Sequence, residues 1–135
     1  MARLLERETK VGEAIQYLEA AITKYPRAAT LHAGLGELRL RIAFDAGVGA
    51  TLMLRIGGKI SPMSGPPLDL QVTVQALCPD MVMSGLAGTP VAMGDCACVE
   101  VAGVQVVMCT VRNQAMGTDL FTQLGVDLAA RKLVV

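Results

Sequence analysis

DCACVEVAGVQVVMCT (95–110) is two alternating apolar runs flanking a pair of small residues, Ala102 and Gly103. Alternation with a period of two is the mark of a strand with one face against a core. A two-residue connection with Gly suited to positive φ is the mark of a tight hairpin. With Ala102 and Gly103 as the turn, Val101 pairs with Val104, Val99 with Val106 and Ala97 with Met108. That face is apolar throughout and is predicted to be the core face. The opposite face pairs Glu100 with Gln105, Cys98 with Val107 and Cys96 with Cys109. A slip of one residue would turn Glu100 inward, so the register is well determined. Direct cross-strand Cβ atoms lie about 4.5–5.5 Å apart. Cys96 and Cys109 are therefore predicted to be neighbours, and reduced in a cytosolic protein.

Working outward, the same grammar continues upstream as far as Phe44. Ala50, Leu52, Leu54 and Ile56 alternate with Thr51, Met53 and Arg55. Leu68, Leu70, Val72, Val74 and Ala76 alternate with Asp69, Gln71, Thr73 and Gln75. GGKISPMSGPP (57–67) is a loop by composition. Downstream, a short helix is predicted from Thr118 to Leu124, stopped by Gly125, and Lys132–Val135 reads as a last strand. Before residue 44 the period is helical. Leu4, Leu5, Val11, Ile15, Leu18, Ala21, Ile22 and Tyr25 recur at spacings of three and four, and Pro26 stops that helix. Thr30 could cap a second helix through Leu31, Leu35, Leu38 and Ile42. The fold class is α+β: an N-terminal helical hairpin (1–43), then a mainly antiparallel β domain with one short helix (44–135).

Composition narrows the function. The 135-residue chain carries 12 Lys+Arg and 12 Asp+Glu, so a strongly basic nucleic-acid surface is excluded. Aromatics are 3% with no Trp, which leaves no stacking platform for bases or sugars. A single histidine excludes a multi-histidine metal centre within one chain. There is no eighteen-residue apolar stretch and no secretory leader pattern, so a cytoplasmic chain without a membrane span is expected.

Two resemblances follow from particular segments. GEAIQYLEAAITKYPRAATLHAGLGELRLRIA (12–43) resembles part of a tetratricopeptide repeat, through Ala14, Ala20, Tyr25 and Pro26 and then Leu31, Leu35, Gly36 and Leu38. From Phe44 onward the chain is similar to the C-terminal domain of the microcystinase C family of metallopeptidases. The carrying segments are AGVGATLMLRIGGK (46–59), SGPPLDL (64–70), VTVQAL (72–77), VAGVQVVMCTVRNQA (101–115) and DLFTQLGVDLAARKLVV (119–135). In that family the metal-binding aspartate and histidines belong to a large N-terminal domain with no counterpart here. The resemblance therefore implies a truncated domain joined to foreign helices, whether engineered, shuffled, metagenomic or a gene remnant. No enzyme activity, cofactor or metal is expected, and no catalytic residue is assigned. The alternatives are an interaction module using the helices and an accessory substrate-binding domain.

Ligand-facing candidates are few. Gly57, Gly58 and Lys59 form a loop that, by the resemblance, could face the catalytic cleft, with Lys59 as a cation for a carboxylate. A plain strand connection is the preferred reading, because the other wall of that cleft is missing. Arg112 and Gln114, two apart on an extended segment, could grip a carboxylate or carbonyl; a strand end or a structural hydrogen bond is preferred. Cys78, Cys96, Cys98 and Cys109 lack zinc-like spacing and read as core thiols. His32 reads as a surface or interface histidine, and the scattered methionines as gap fillers. An oligomer is expected from an unfinished last strand and an uncovered apolar helix stripe. A protein partner could use residues 1–43, and neither nucleic acid nor membrane is expected as a partner.

Overall fold

A computed structural model describes residues 2–26, 29–57 and 65–135. Helix α1 (Ala2–Lys24) and helix α2 (Ala29–Ala46) form the N-terminal hairpin. Pro26 ends α1, since it has no N–H to donate and biases the preceding residue away from helix. α2 begins at Ala29, so Thr30 lies inside its first turn and does not cap it. Gly47, at φ +83°, ends α2 in the left-handed conformation and donates its N–H to the Ala43 carbonyl.

Four antiparallel strands follow in chain order, β1 (Thr51–Ile56), β2 (Leu68–Ser84), β3 (Pro90–Val101) and β4 (Val104–Cys109). The β3–β4 register is the one read from the sequence, from Val101 opposite Val104 to Cys96 opposite Cys109. Ala102 (φ +50°) and Gly103 (φ +81°) are both left-handed, which makes a type I′ turn matched to the strands' twist. The Glu100 carboxylate accepts the Gly103 N–H at 2.6 Å.

The expected core face is only one of two. Ala43 of α2, Leu54, Val72, Val74 and Val99 form a buried cluster on one side, joined by Leu70, Leu77, Val101, Val106 and Met108. On the other side Cys96 and Cys98 are fully buried with Met81, Met83 and Met93 beneath Leu120, Leu124 and Val126. Bulges build this second core. The β2–β3 register shifts between Val74 and Ala76, between Cys78 and Met81, and between Met81 and Val82, the first two through an extra residue on β2 and the third through Met93 on β3. Each extra residue reverses the side to which later side chains point. Val72 and Val74 therefore face α2, while Ala76 and Cys78 face the opposite core. This corrects the reading of Ala76 as a continuation of the Leu70–Val74 face. Both strands also outrun their expected limits, β2 to Ser84 and β3 back to Pro90.

The lid over the second core is small. Helix α3 (Asp119–Thr122) is one turn long. Gly125 closes it at φ +70°, its N–H on the Thr122 carbonyl and the Val126 N–H on the Phe121 carbonyl. Two hydrogen bonds pin the lid to β2: the Asp119 carboxylate accepts the Ser84 N–H at 2.7 Å, and the Gln123 amide donates to the Val82 carbonyl at 3.0 Å. Residues 132–135 form no strand. They follow a single 3-10 turn (Leu128–Ala130), and Leu133 and Val135 are exposed. Their apolar side chains looked like strand, but no neighbouring backbone is there to pair with them. No described helix is long and apolar enough to cross a membrane.

Candidate functional site

All four cysteines lie on the second core face, and all are free thiols. The strand registers place Cys78 opposite Cys96 and Cys96 opposite Cys109. Three thiols thus form a row across β2, β3 and β4, with Cys98 two residues along the central strand. Sequence reading pairs Cys96 with Cys109 and gives Cys78 no partner. The Cys78 partnership depends on a long-range register with a bulge beside it, and no local signal reports that. Burial raises the thiol pKa of Cys96, Cys98 and Cys109. These three are therefore protonated and weakly nucleophilic at neutral pH. Among the described residues no group of three or more His, Cys, Asp or Glu is arranged to hold a metal ion.

A second cluster is ionic. Arg55 on β1 makes a two-pronged contact with Asp69 on β2, Nε to Oδ1 at 2.7 Å and Nη2 to Oδ2 at 2.8 Å. The Arg55 guanidinium holds the Asp69 carboxyl below its usual range. Arg55 also reaches Glu19 of α1 at 3.4 Å, and the same Glu19 oxygen accepts from Arg39 of α2 at 2.5 Å. Arg39 is only 8% exposed, so its charge is held where its carboxylate partner Glu19 matters. The four side chains tie α1, α2, β1 and β2 together. Nothing in the sequence pattern marked them, because each sits at an ordinary polar position of its own element. A cleft of about 320 Å³ lies between α2 and the far end of the sheet, bounded by Glu37, Arg41, Phe44, Asp95 and Thr110.

The sequence candidates are not brought together. Gly57 follows β1 at φ +78° with open space around it; Gly58 and Lys59 lie outside the described residues. That loop leaves the sheet at the end where β1 and β2 pair Ile56 with Leu68, beyond the β3–β4 turn. Arg112 and Gln114 are at the opposite end, where Thr110 and Val111 bond to Asp95 and Met93. Both are exposed, and neither has a hydrogen bond or ion pair among the described residues. Their segment is irregular, so the shared strand face expected for them does not exist. The structural bond in VRNQ comes from Asn113, whose amide donates to the Ala92 carbonyl at 3.1 Å. His32 is half-buried and donates from Nε2 to the Pro26 carbonyl at 3.0 Å, which closes the α1–α2 connection.

The family model described as MlrC C-terminus matches residues 12–135. The chain belongs to the MlrC C-terminus family. The match takes in most of α1, all of α2, the sheet and the lid. Microcystinase C of Sphingomonas sp. is 35% identical over 97 residues, which is 72% of this chain and 19% of that protein. The crystal structure of a candidate metallopeptidase from Mesorhizobium sp. BNC1 superimposes with a TM-score of 0.60 at 30% identity, over 67% of this chain and 19% of that one. The chain thus spans about a fifth of the length of these two proteins.

Proposed function

We propose that this chain is a non-catalytic accessory unit of the microcystinase C type of metallopeptidase. One observation carries the reading: the family model matches residues 12–135, while the two relatives align over 72% and 67% of this chain and over only 19% of their own length. The chemistry of the chain agrees with it. The thiols of Cys96, Cys98 and Cys109 are kept protonated by burial, the carboxylates at Asp69 and Asp119 are held by structural partners, and the single histidine donates to a backbone carbonyl. Among the described residues no nucleophile, base and oxyanion donor converge on one point. In an accessory role Arg112 and Gln114 are the side chains free to meet a substrate carboxylate or a second domain. Assays of the purified full chain for zinc and for hydrolysis of peptide amides test the reading. Neither is expected. Zinc near one equivalent per chain together with amide hydrolysis would overturn it.

A second reading is a protein-interaction module built on the helices. Tyr17 and Tyr25 of the hairpin are 75% and 57% exposed, and exposed aromatics of this kind anchor interfaces. A specific partner retained by the full chain and lost on removing residues 1–43 would favour it.

A further inference from the structure

We propose that Cys96 and Cys109 form a convertible dithiol that closes to a cross-strand disulfide when a low-molecular-weight disulfide oxidises the protein. The hairpin geometry carries the argument. A two-residue type I′ turn makes Val101 and Val104 a hydrogen-bonded pair, and pair types alternate from there. Glu100–Gln105, Cys98–Val107 and Cys96–Cys109 then fall at the non-hydrogen-bonded positions. The next pair confirms the phase, since the Thr110 N–H donates to the Asp95 carbonyl at 3.0 Å. At non-hydrogen-bonded positions Cα atoms stand about 4.5 Å apart and the side chains lean together. That lies inside the span of about 4.4–6.8 Å that a disulfide bridges.

The other cysteines lack this arrangement. Cys98 faces Val107. Cys78 faces Cys96 next to the bulge that shifts the β2 register, away from the regular pairing of β3 and β4.

The chemistry balances without a metal or enzyme. Cys109 is half-buried on the edge strand β4, so its sulfur is the one that reaches the reagent. As the thiolate it attacks one sulfur of the reagent disulfide and expels a thiolate. The Cys96 sulfur then attacks the mixed disulfide at Cys109 and expels the second thiolate. One reagent S–S bond breaks and one protein S–S bond forms. The two protons lost by the cysteines end on the two released thiols. Because burial keeps both cysteines protonated at neutral pH, closure is slow near pH 7 and accelerates as pH rises.

Incubating the reduced full chain with glutathione disulfide at pH 8, then alkylating, digesting and weighing the peptides, tests this. The expected result is loss of two of the four thiols and one linked peptide pair holding Cys96 and Cys109, reversed by dithiothreitol. The urea midpoint of the oxidised chain should rise. Cys78→Ser should still close the bond, and Cys109→Ser should form no intramolecular link. Four intact thiols under conditions that oxidise a free dithiol, a Cys78–Cys96 link, or glutathione retained on the protein would each overturn the proposal.

Discussion

Replacing Ala102 by Asn should stabilise the protein, although no side-chain contact in the fold improves. Ala102 sits at φ +50°, in a region where a Cβ meets the following carbonyl oxygen and costs an ordinary residue about 1–2 kcal/mol. Asn tolerates that region better and precedes Gly in the favoured type I′ pair. A gain of about 1 kcal/mol is expected, which is roughly 4 °C in Tm for a chain of this size. Ala102→Gly removes the same strain but loses about 0.5–1 kcal/mol through the freedom Gly adds to the unfolded chain, so it should lie near zero. Gly103→Ala should move the opposite way. Its φ is +81° and a Cβ there would meet no atom within 4 Å, so only backbone strain enters, about 1 kcal/mol of destabilisation. The assay is urea unfolding of the four proteins, followed by fluorescence of Tyr17 and Tyr25 and by circular dichroism. The expected order is Asn above Ala and Gly together, with Gly103→Ala lowest. An Asn variant less stable than the parent, with an unchanged slope against urea, would show that Ala102 is not held left-handed.

Gly94→Ala should cost more than Gly103→Ala, roughly 3 kcal/mol by the same denaturation, because its Cβ adds overlap with the Thr110 hydroxyl to the strain of φ +67°. The Ser84 N–H holds the Asp119 carboxyl below the usual carboxylate range. That contribution to stability is complete above the unfolded pKa and is lost as pH falls through the lower folded value. The denaturation midpoint should therefore drop with acid below about pH 4, and Asp119→Asn should flatten that part of the profile. Self-association is expected through the open edges of β1 and β4, now that residues 132–135 supply no strand. Light scattering at micromolar concentration checks it, and a monodisperse monomer would refute it.

What the sequence disclosed was what is local. The β3–β4 register is legible to the residue because a two-residue turn fixes it and Glu100 penalises the slip. Helix α1 and its stop at Pro26 are legible for the same reason, and so is Gly125 at the end of α3. The β2–β3 pairing is not. Gln75 interrupts nothing visible in the alternation of Leu68 to Ala76, yet it is the extra residue of a bulge and sends Ala76 to the other core. Pro79 and Asp80, the latter at φ +46°, look like the end of a strand, but they are a second irregularity inside one. The candidate residues fared according to the same rule. Arg112 and Gln114 share a face only on a strand, and the segment they occupy is irregular. The ion cluster around Glu19 and Arg55 joins residues 36 positions apart and leaves no local trace.

The bulges of β2 and β3 explain the sulfur chemistry as well as the topology. An unbroken β2 would keep one face toward α2 and leave the other to solvent, the usual economy of an antiparallel sheet. Reversing parity twice along β2 instead sends Ala76, Cys78, Met81 and Met83 to the side away from α2, where Cys96 and Cys98 already point and where the bulge on β3 brings Met93. That side must then be covered, and the cover available is a one-turn helix with Leu120, Leu124 and Val126. A kinked floor beneath a small lid leaves gaps of irregular shape. Methionine bends to fill such gaps, and a buried thiol fills them as a small hydrophobe. The gathering of three methionines and four cysteines on one face is therefore first a packing solution. Its chemical consequence is confined to the one place where strand geometry sets two of the sulfurs side by side, Cys96 and Cys109.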